Sequence, residues 1–166
     1  MSAPNAVIAL GSNLGNSRAT LLAAIDRLSQ VGAPGMAKSS LWQSSPVGCP
    51  PNSPMFVNAV VCLQLHPDET PESLLKKLQS IEKDFGRRPK IEMNEPRPLD
   101  LDLIAFGSES RQTPGLILPH PRAHLRRFVL QPLNEIAPDL ILPGQRRPVC
   151  ELLARLDTDE ILQCLD

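Results

Sequence analysis

Tyrosine is absent from this 166-residue chain, tryptophan occurs once and phenylalanine four times. So thin an aromatic stock offers no row of rings on which single-stranded bases stack, which argues against an RNA-binding module. An excess of one charge is lacking too. Seventeen Lys and Arg face 18 Asp and Glu, a net charge of −1, so nothing pulls the whole molecule toward nucleic acid or an anionic membrane. Cysteine is scarce. Cys49, Cys62, Cys150 and Cys164 have the spacing of neither a zinc site nor a disulfide framework, and free thiols are expected. There is no apolar run long enough to span a bilayer and no basic segment at Met1 to Asn5. The expectation is a cytoplasmic protein, a monomer, with residues 1–166 forming one domain around one core.

What the chain does have is proline and a local concentration of positive charge. The 18 prolines bunch in Pro46 to Pro54, Pro89 to Pro98 and Pro114 to Pro121. Proline removes a donor and fixes φ, so these stretches are expected to be loops. Between them the apolar pattern is regular. Ala6 to Leu10 reads as a buried strand closed by the turn Gly11-Ser12-Asn13. Asn16 or Ser17 then caps a helix with Leu21, Leu22, Ile25 and Leu28 on one face. Lys38 to Ser44 and Phe56 to Leu65 read as strands. The second puts Val57, Ala59, Val61, Leu63 and Leu65 on one face, with Phe56 and Asn58 on the other. Thr70-Pro71 opens a helix striped by Leu74, Leu75, Leu78, Ile81 and Phe85, and Gly86 ends it. Leu99 to Phe106 is a further strand. Leu130 to Ala137 is a short helix with Pro132 in its first turn, and Glu151 to Leu156 starts a last helix. The order strand, helix, strand, strand, helix, strand predicts an α+β fold. The expected core is a ferredoxin-like split βαβ unit with an antiparallel sheet, helices on its faces and C-terminal additions.

The sharpest chemical signal is Leu99-Asp100-Leu101-Asp102-Leu103. On a strand the two acids share one face and the three leucines the other. Like charges so placed repel, and a divalent cation with oxygen ligands compensates them. An isolated Asp-x-Asp is more often a solvated strand face. Here eight of the 17 basic residues lie nearby: Arg87, Arg88, Lys90, Arg97, Arg111, Arg122, Arg126 and Arg127. That combination suits Mg²⁺ bridging carboxylates and polyphosphate. Around His120-Pro121-Arg122, arginine forks match phosphate oxygens. Arg126 and Arg127 precede a helix start, where positive charge opposes the helix dipole. Phe56 and Asn58 on one strand face suit a flat heterocycle, one by stacking and one by hydrogen bonding. Gly11 to Gly15 lacks the lysine and glycine spacing of a P-loop.

Taken in order, these segments resemble the hydroxymethyldihydropterin pyrophosphokinase family. The resemblance runs from Val7 to about Leu142. It is carried by Ala9-Leu10-Gly11-Ser12-Asn13-Leu14-Gly15, Ser44-Ser45-Pro46-Val47-Gly48, Phe56-Val57-Asn58-Ala59-Val60, Ile81-Glu82 through Gly86-Arg87, and Pro96 to Leu103. Leu118-Pro119-His120-Pro121-Arg122, Arg126, Phe128 to Leu130 and Pro132 to Pro138 complete it.

The resemblance implies transfer of the pyrophosphoryl group of ATP to 6-hydroxymethyl-7,8-dihydropterin, with AMP released. It implies that Asp100 and Asp102 bind two Mg²⁺ ions and that Arg87 and Arg97 contact the ATP phosphates. His120 and Arg126 would help hold ATP, and Leu103 would lie near the adenine. Asn58, with backbone groups of Ser44, Ser45, Pro46 and Val47, would bind the pterin edge, and Phe56 and Phe128 would sandwich its ring. The chain departs from the family pattern at Asn94-Glu95, where the family has Trp-Gly, at Pro89 for an arginine, and at Pro98 for a hydroxy residue. Asn94-Glu95 and Pro89 fall in the loop from Arg87 to Pro96, which family members close over ATP, and Pro98 lies just beyond it. A polymerase-β-type nucleotidyltransferase is the alternative, but there Gly-Ser and Asp-x-Asp lie close together, whereas Ser12 and Asp100 are far apart.

Overall fold

The computed structural model describes residues 5–44, 55–86 and 98–165. The expectations for Ser45, Pro46, Val47, Arg87, Arg97, Pro89, Asn94 and Glu95, and for the loop from Arg87 to Pro96, lie outside the described residues.

The strands are β1 (Asn5–Ser12), β2 (Ala33–Lys38), β3 (Trp42–Ser44), β4 (Phe56–Gln64), β5 (Asp100–Phe106), β6 (Arg111–Thr113), β7 (Leu116–Leu118) and β8 (Leu162–Cys164). The helices are α1 (Ser17–Val31), α2 (Pro71–Asp84), α3 (Arg127–Ile136) and α4 (Val149–Ala154), with a 3-10 turn at Ala123–Leu125. Six strands form one antiparallel sheet in the order β5-β1-β4-β3-β8, with β2 also paired to β4. Strand β5 thus lies at one edge, against β1.

Period-two alternation divides the sheet's side chains between two layers of helices. On one face, Ile8 and Leu10, Ala59 and Val61, and Leu101 and Leu103 pack against Leu21 and Leu28 of α1 and Leu74 and Leu78 of α2. On the other, Val7, Ala9, Val60 and Ile104 pack against Val129, Leu130 and Leu133 of α3 and Val149 of α4. Local chemistry fixes the helix starts. Asn16 Oδ1 accepts from Ala19 N at 3.2 Å to cap α1. Thr70 and Ser73 form a reciprocal capping box on α2, with Pro71 at the first helical position.

Several expectations are corrected. Leu22 is 51 % exposed and Ala24 takes its place in the α1 stripe; at about 100° per residue, Leu22 rotates off the face held by Leu21, Ile25 and Leu28. Of the single strand expected at Lys38 to Ser44 only the two ends are strand: Lys38 closes β2, which begins earlier at Ala33, and β3 starts at Trp42. Between them Ser39 occupies both backbone groups of Val60: its N–H donates to Val60 O and its hydroxyl accepts from Val60 N, each at 2.9 Å. A side chain in the ladder breaks its regularity. Helix α3 begins at Arg127, not Leu130, so Pro132 lies inside the helix rather than in its first turn. Proline there costs one hydrogen bond, to Phe128 O, and burial of Val129, Leu130, Pro132 and Leu133 offsets it. The last helix runs over Val149–Ala154, two residues earlier than expected. The proline stretch Pro114 to Pro121 is not all loop, because β6 and β7 form a hairpin across it with Thr113 opposite Leu116.

At the junction of α1 and β2, Gly32 is fixed by proximity. A Cβ there would stand 2.3 Å from Gln64 O and 2.8 Å from the Leu63 side chain. Gly32→Ala is expected to cost about 1–3 kcal/mol, since backbone cannot yield to overpacking as a side-chain tip can. Urea denaturation checks this; a variant as stable as the parent would show that the junction has slack.

Candidate functional site

The site is built on one rung of the sheet. Gly11 in β1 lies directly opposite Asp100 in β5 on one side and Asn58 in β4 on the other. Asn58 in turn lies opposite Trp42 in β3. On the next rung Ala9 stands between Asp102 and Val60. Asp100, Asp102, Asn58 and Phe56 therefore share the sheet face on which α3 packs. Leucines 99, 101 and 103 are buried on the opposite face, as the alternation predicts.

Gly11 is the residue whose role the sequence left unread. A Cβ at Gly11 would meet Phe56 Cδ1 at 3.6 Å and Asn58 Oδ1 at 3.7 Å. Because it is missing, the Phe56 ring and the Asn58 amide close over the Gly11 backbone, beside the acidic strand. The sequence places Gly11 and Ser12 in a turn after the strand, whereas both are the last residues of β1, and Gly11 is paired on both sides. Strand pairing, which relates residues far apart in sequence, is what gives Gly11 its neighbours.

Asn58 is 3 % exposed and locked in place. Its Nδ2 donates to Ser44 Oγ at 2.7 Å, so Ser44 contributes its side chain as well as backbone. Phe56 and Phe128 are both half-buried. Phe128 is the second residue of α3, and the Arg126 guanidinium lies 5.3 Å from its ring centroid, a cation–π contact.

On the acidic side, β5 is an edge strand, and the N–H of Leu101, between the two acids, donates to Glu82 Oε2 of α2 at 2.8 Å. Glu82 thus anchors the acidic strand from outside the sheet. His120 follows, its backbone N–H donating to Ile104 O at 2.9 Å. Its Nδ1 accepts from Arg122 N at 3.2 Å, which leaves the ring proton of the neutral form on Nε2. Burial, followed by the positive charges of Arg126 and Arg122, pushes the His120 pKa down, while Asp100 pulls it up. A cavity of about 120 Å³ lies beside this ring, with Ile104, Pro119, His124 and Leu142 among its lining.

Two sequence candidates stand apart. Leu103 is 5 % exposed in the core beneath α1 and α2, so its side chain points away from the acidic face and only its backbone is left for a nucleotide. Arg111 belongs to an ion-pair set with Glu72 at 2.7 Å and Glu109 at 3.1 Å, well occupied without a ligand.

Among the described residues no group of three or more His, Cys, Asp or Glu is placed to hold a metal unaided. Two carboxylates on one strand face nevertheless fit magnesium, whose remaining ligands would be phosphate oxygens and water. An α+β scaffold with paired acids and a locked amide on one sheet face, and with Arg122 and Arg126 near His120, suits an enzyme that handles phosphate and a flat heterocycle together. The family model of 7,8-dihydro-6-hydroxymethylpterin-pyrophosphokinase matches residues 7–138, and the chain belongs to that family.

The chain is similar to the 2-amino-4-hydroxy-6-hydroxymethyldihydropteridine pyrophosphokinase of Pseudomonas aeruginosa, 41 % identical over 148 residues, which cover 89 % of this chain and 88 % of that protein. It is likewise similar to the enzyme of that name from Synechocystis, 38 % identical over 152 residues, covering 92 % and 76 %. Among solved structures, wild-type Plasmodium falciparum HPPK-DHPS with pteroate superposes with a TM-score of 0.71 at 14 % identity, over 92 % of this chain and 42 % of that one. That likeness concerns the fold alone, and this chain spans about two fifths of that longer one. Among the described residues no helix is long and apolar enough to cross a membrane.

Proposed function

We propose that the rung Asp100–Gly11–Asn58 holds Mg-ATP and 6-hydroxymethyl-7,8-dihydropterin side by side for the family's reaction, transfer of the pyrophosphoryl group from ATP to the pterin. The observation that carries this reading is the shared rung. It sets the acidic pair and the locked amide on one face with only a glycine between them.

Asn58 and Ser44, with backbone of Ser45, Pro46 and Val47, hold the pterin edge, while Phe56 and Phe128 cover the ring's two sides. Arg87 and Arg97 hold the ATP phosphates, and His120 and Arg126 hold the nucleotide further out. Asp100 and Asp102 hold two Mg²⁺ ions, which neutralise charge on the polyphosphate. So placed, the pterin's hydroxymethyl oxygen forms a bond to the β-phosphorus of ATP. The bond from that phosphorus to the oxygen bridging it to the α-phosphorus breaks, AMP leaves, and the hydroxyl proton passes to water. Such transfer needs positioning and charge neutralisation more than covalent help from the protein.

The core order β5-β1-β4-β3, with α1 and α2 on one face, supports a ferredoxin-like split βαβ unit with additions after β5. Residues 1–166 are read as one such domain, acting as a cytoplasmic monomer.

Incubation with Mg-ATP and the reduced pterin is expected to yield AMP, and only when the pterin is present. ADP as the main nucleotide product would overturn the assignment. Pyrophosphate would point to nucleotidyl transfer instead.

A further inference from the structure

Two elements beyond residues 7–138 reach back to the pterin side of the site. Strand β8 pairs antiparallel with β3, setting Leu162 opposite Ser44 and Cys164 opposite Trp42. Leu165 N–H donates to Leu41 O at 2.9 Å. The alternation of an antiparallel ladder then makes Gln43–Gln163 the next hydrogen-bonded pair. β3 would otherwise be a three-residue edge strand. It carries Ser44, whose hydroxyl holds the Asn58 amide at 2.7 Å.

Just before β8 stands Glu160. Helix α3 has neither a side-chain cap of its own nor an acidic residue in its first turn, although Arg126 and Arg127 put positive charge there. Glu160 supplies the missing anion from 33 residues further along: its Oε1 accepts from Arg127 N at 3.4 Å. Thr158 Oγ1 donates to the same oxygen at 3.2 Å, and Glu160 N–H donates back to Thr158 Oγ1 at 3.2 Å. The other oxygen, Oε2, is out of contact with solvent and accepts no hydrogen bond. The carboxylate is therefore committed to this junction rather than to water. Phe128 follows Arg127 directly, so Glu160 sets the start of the helix that presents the ring.

We propose that Glu160 and β8 form a brace that pre-sets the pterin pocket, holding its amide wall through β3 and its ring wall through α3. Glu160 and Gln163 are positioning residues and touch no substrate. This rests on the pterin reading given above. The acids lie on β5, two strands beyond β4 and at the far edge of the sheet from β8; of the residues read as holding the nucleotide only Arg126, the N-cap of α3, adjoins the brace, so the brace bears on the pterin more than on Mg-ATP. Without it each wall must be ordered as the pterin binds, which weakens affinity without removing any contact.

The test uses full-length protein with Glu160→Ala, Glu160→Gln, Gln163→Pro, and Glu160→Ala combined with Gln163→Pro. Calorimetry measures Kd for the pterin and for Mg-ATP separately. Glu160→Ala and Gln163→Pro are each expected to weaken pterin binding about three- to tenfold, and the pair more, with Mg-ATP binding changed less than about twofold. Glu160→Gln keeps an acceptor oxygen but loses the charge, and should fall between the parent and Glu160→Ala. Unchanged pterin affinity, equal weakening for both ligands, or Glu160→Gln as weak as Glu160→Ala would each overturn the brace. If Gln163→Pro does not fold, the Glu160 pair decides alone. Parent protein that neither binds nor turns over the pterin would count against the proposed function itself, a result separate from any difference among variants.

Discussion

Asp100→Ala and Asp102→Ala are each expected to lower turnover by about two to four decades, the loss of about 3–5 kcal/mol of transition-state stabilisation. Both acids are half-buried near the start of an edge strand whose Leu101 and Leu103 enter the core on the opposite face. Two carboxylates on adjacent same-face positions raise each other's energy unless cations come between them and the polyphosphate. Removing one leaves the phosphate charge incompletely neutralised when the new bond forms. Pterin binding in the absence of nucleotide should hardly change, because Asn58 and Ser44 are hydrogen-bonded to each other two strands away. Release of AMP gives the rate and calorimetry the pterin affinity. Near-normal turnover in either variant would reduce the pair to a solvated strand face.

Gly11→Val is expected to fold and yet lose about two decades of turnover, since a misplacement of about 1 Å costs that much. The Cβ would make ordinary contacts, 3.6 Å to Phe56 and 3.7 Å to Asn58, and valine suits a strand. Its two methyl groups would then stand between amide and acids, where the two substrates must approach. Gly11→Ala, with the Cβ alone, should fall between parent and valine variant. The informative pair of measurements is the melting temperature, expected to change little, and the single-turnover rate, expected to fall. A valine variant with both unchanged would show that the substrates do not meet over this rung.

These two cases differ in how far the sequence announces them. The acids are legible because alternation is local: Asp100 and Asp102 must share a face, and Leu99, Leu101 and Leu103 show which face is core. The apolar set from Val57 to Leu65 is legible for the same reason, and all five residues are buried. Gly11 is not legible, since its importance lies in pairing with Asn58 and Asp100, and register is a property of the folded sheet. Trp42 and Glu135 illustrate the same limit. The Trp42 indole N–H donates to Glu135 Oε1 at 3.0 Å across 93 positions, tying β3 to α3. Proline misled in two places. Pro132 reads as a first-turn residue although burial holds it mid-helix, and the run from Pro114 conceals a hairpin. Strand β8 escaped because the alternation of Leu162, Gln163 and Cys164 spans only three residues, too short to announce a strand, and its pairing is with the distant β3.

The rung also acts as a gauge. Neighbouring strands are spaced about 4.8 Å apart by their hydrogen bonds, so the backbones of Asp100 and Asn58, with β1 between them, stand about 10 Å apart. That interval is set by main-chain geometry common to all sheets, and no side-chain substitution stretches it. An acceptor whose hydroxyl is carried one carbon further from its ring, about 1.5 Å, cannot be met by widening the sheet. On the proposed reading, tolerance for acceptor length would come from tilt of the pterin ring between Phe56 and Phe128, above strands of fixed spacing.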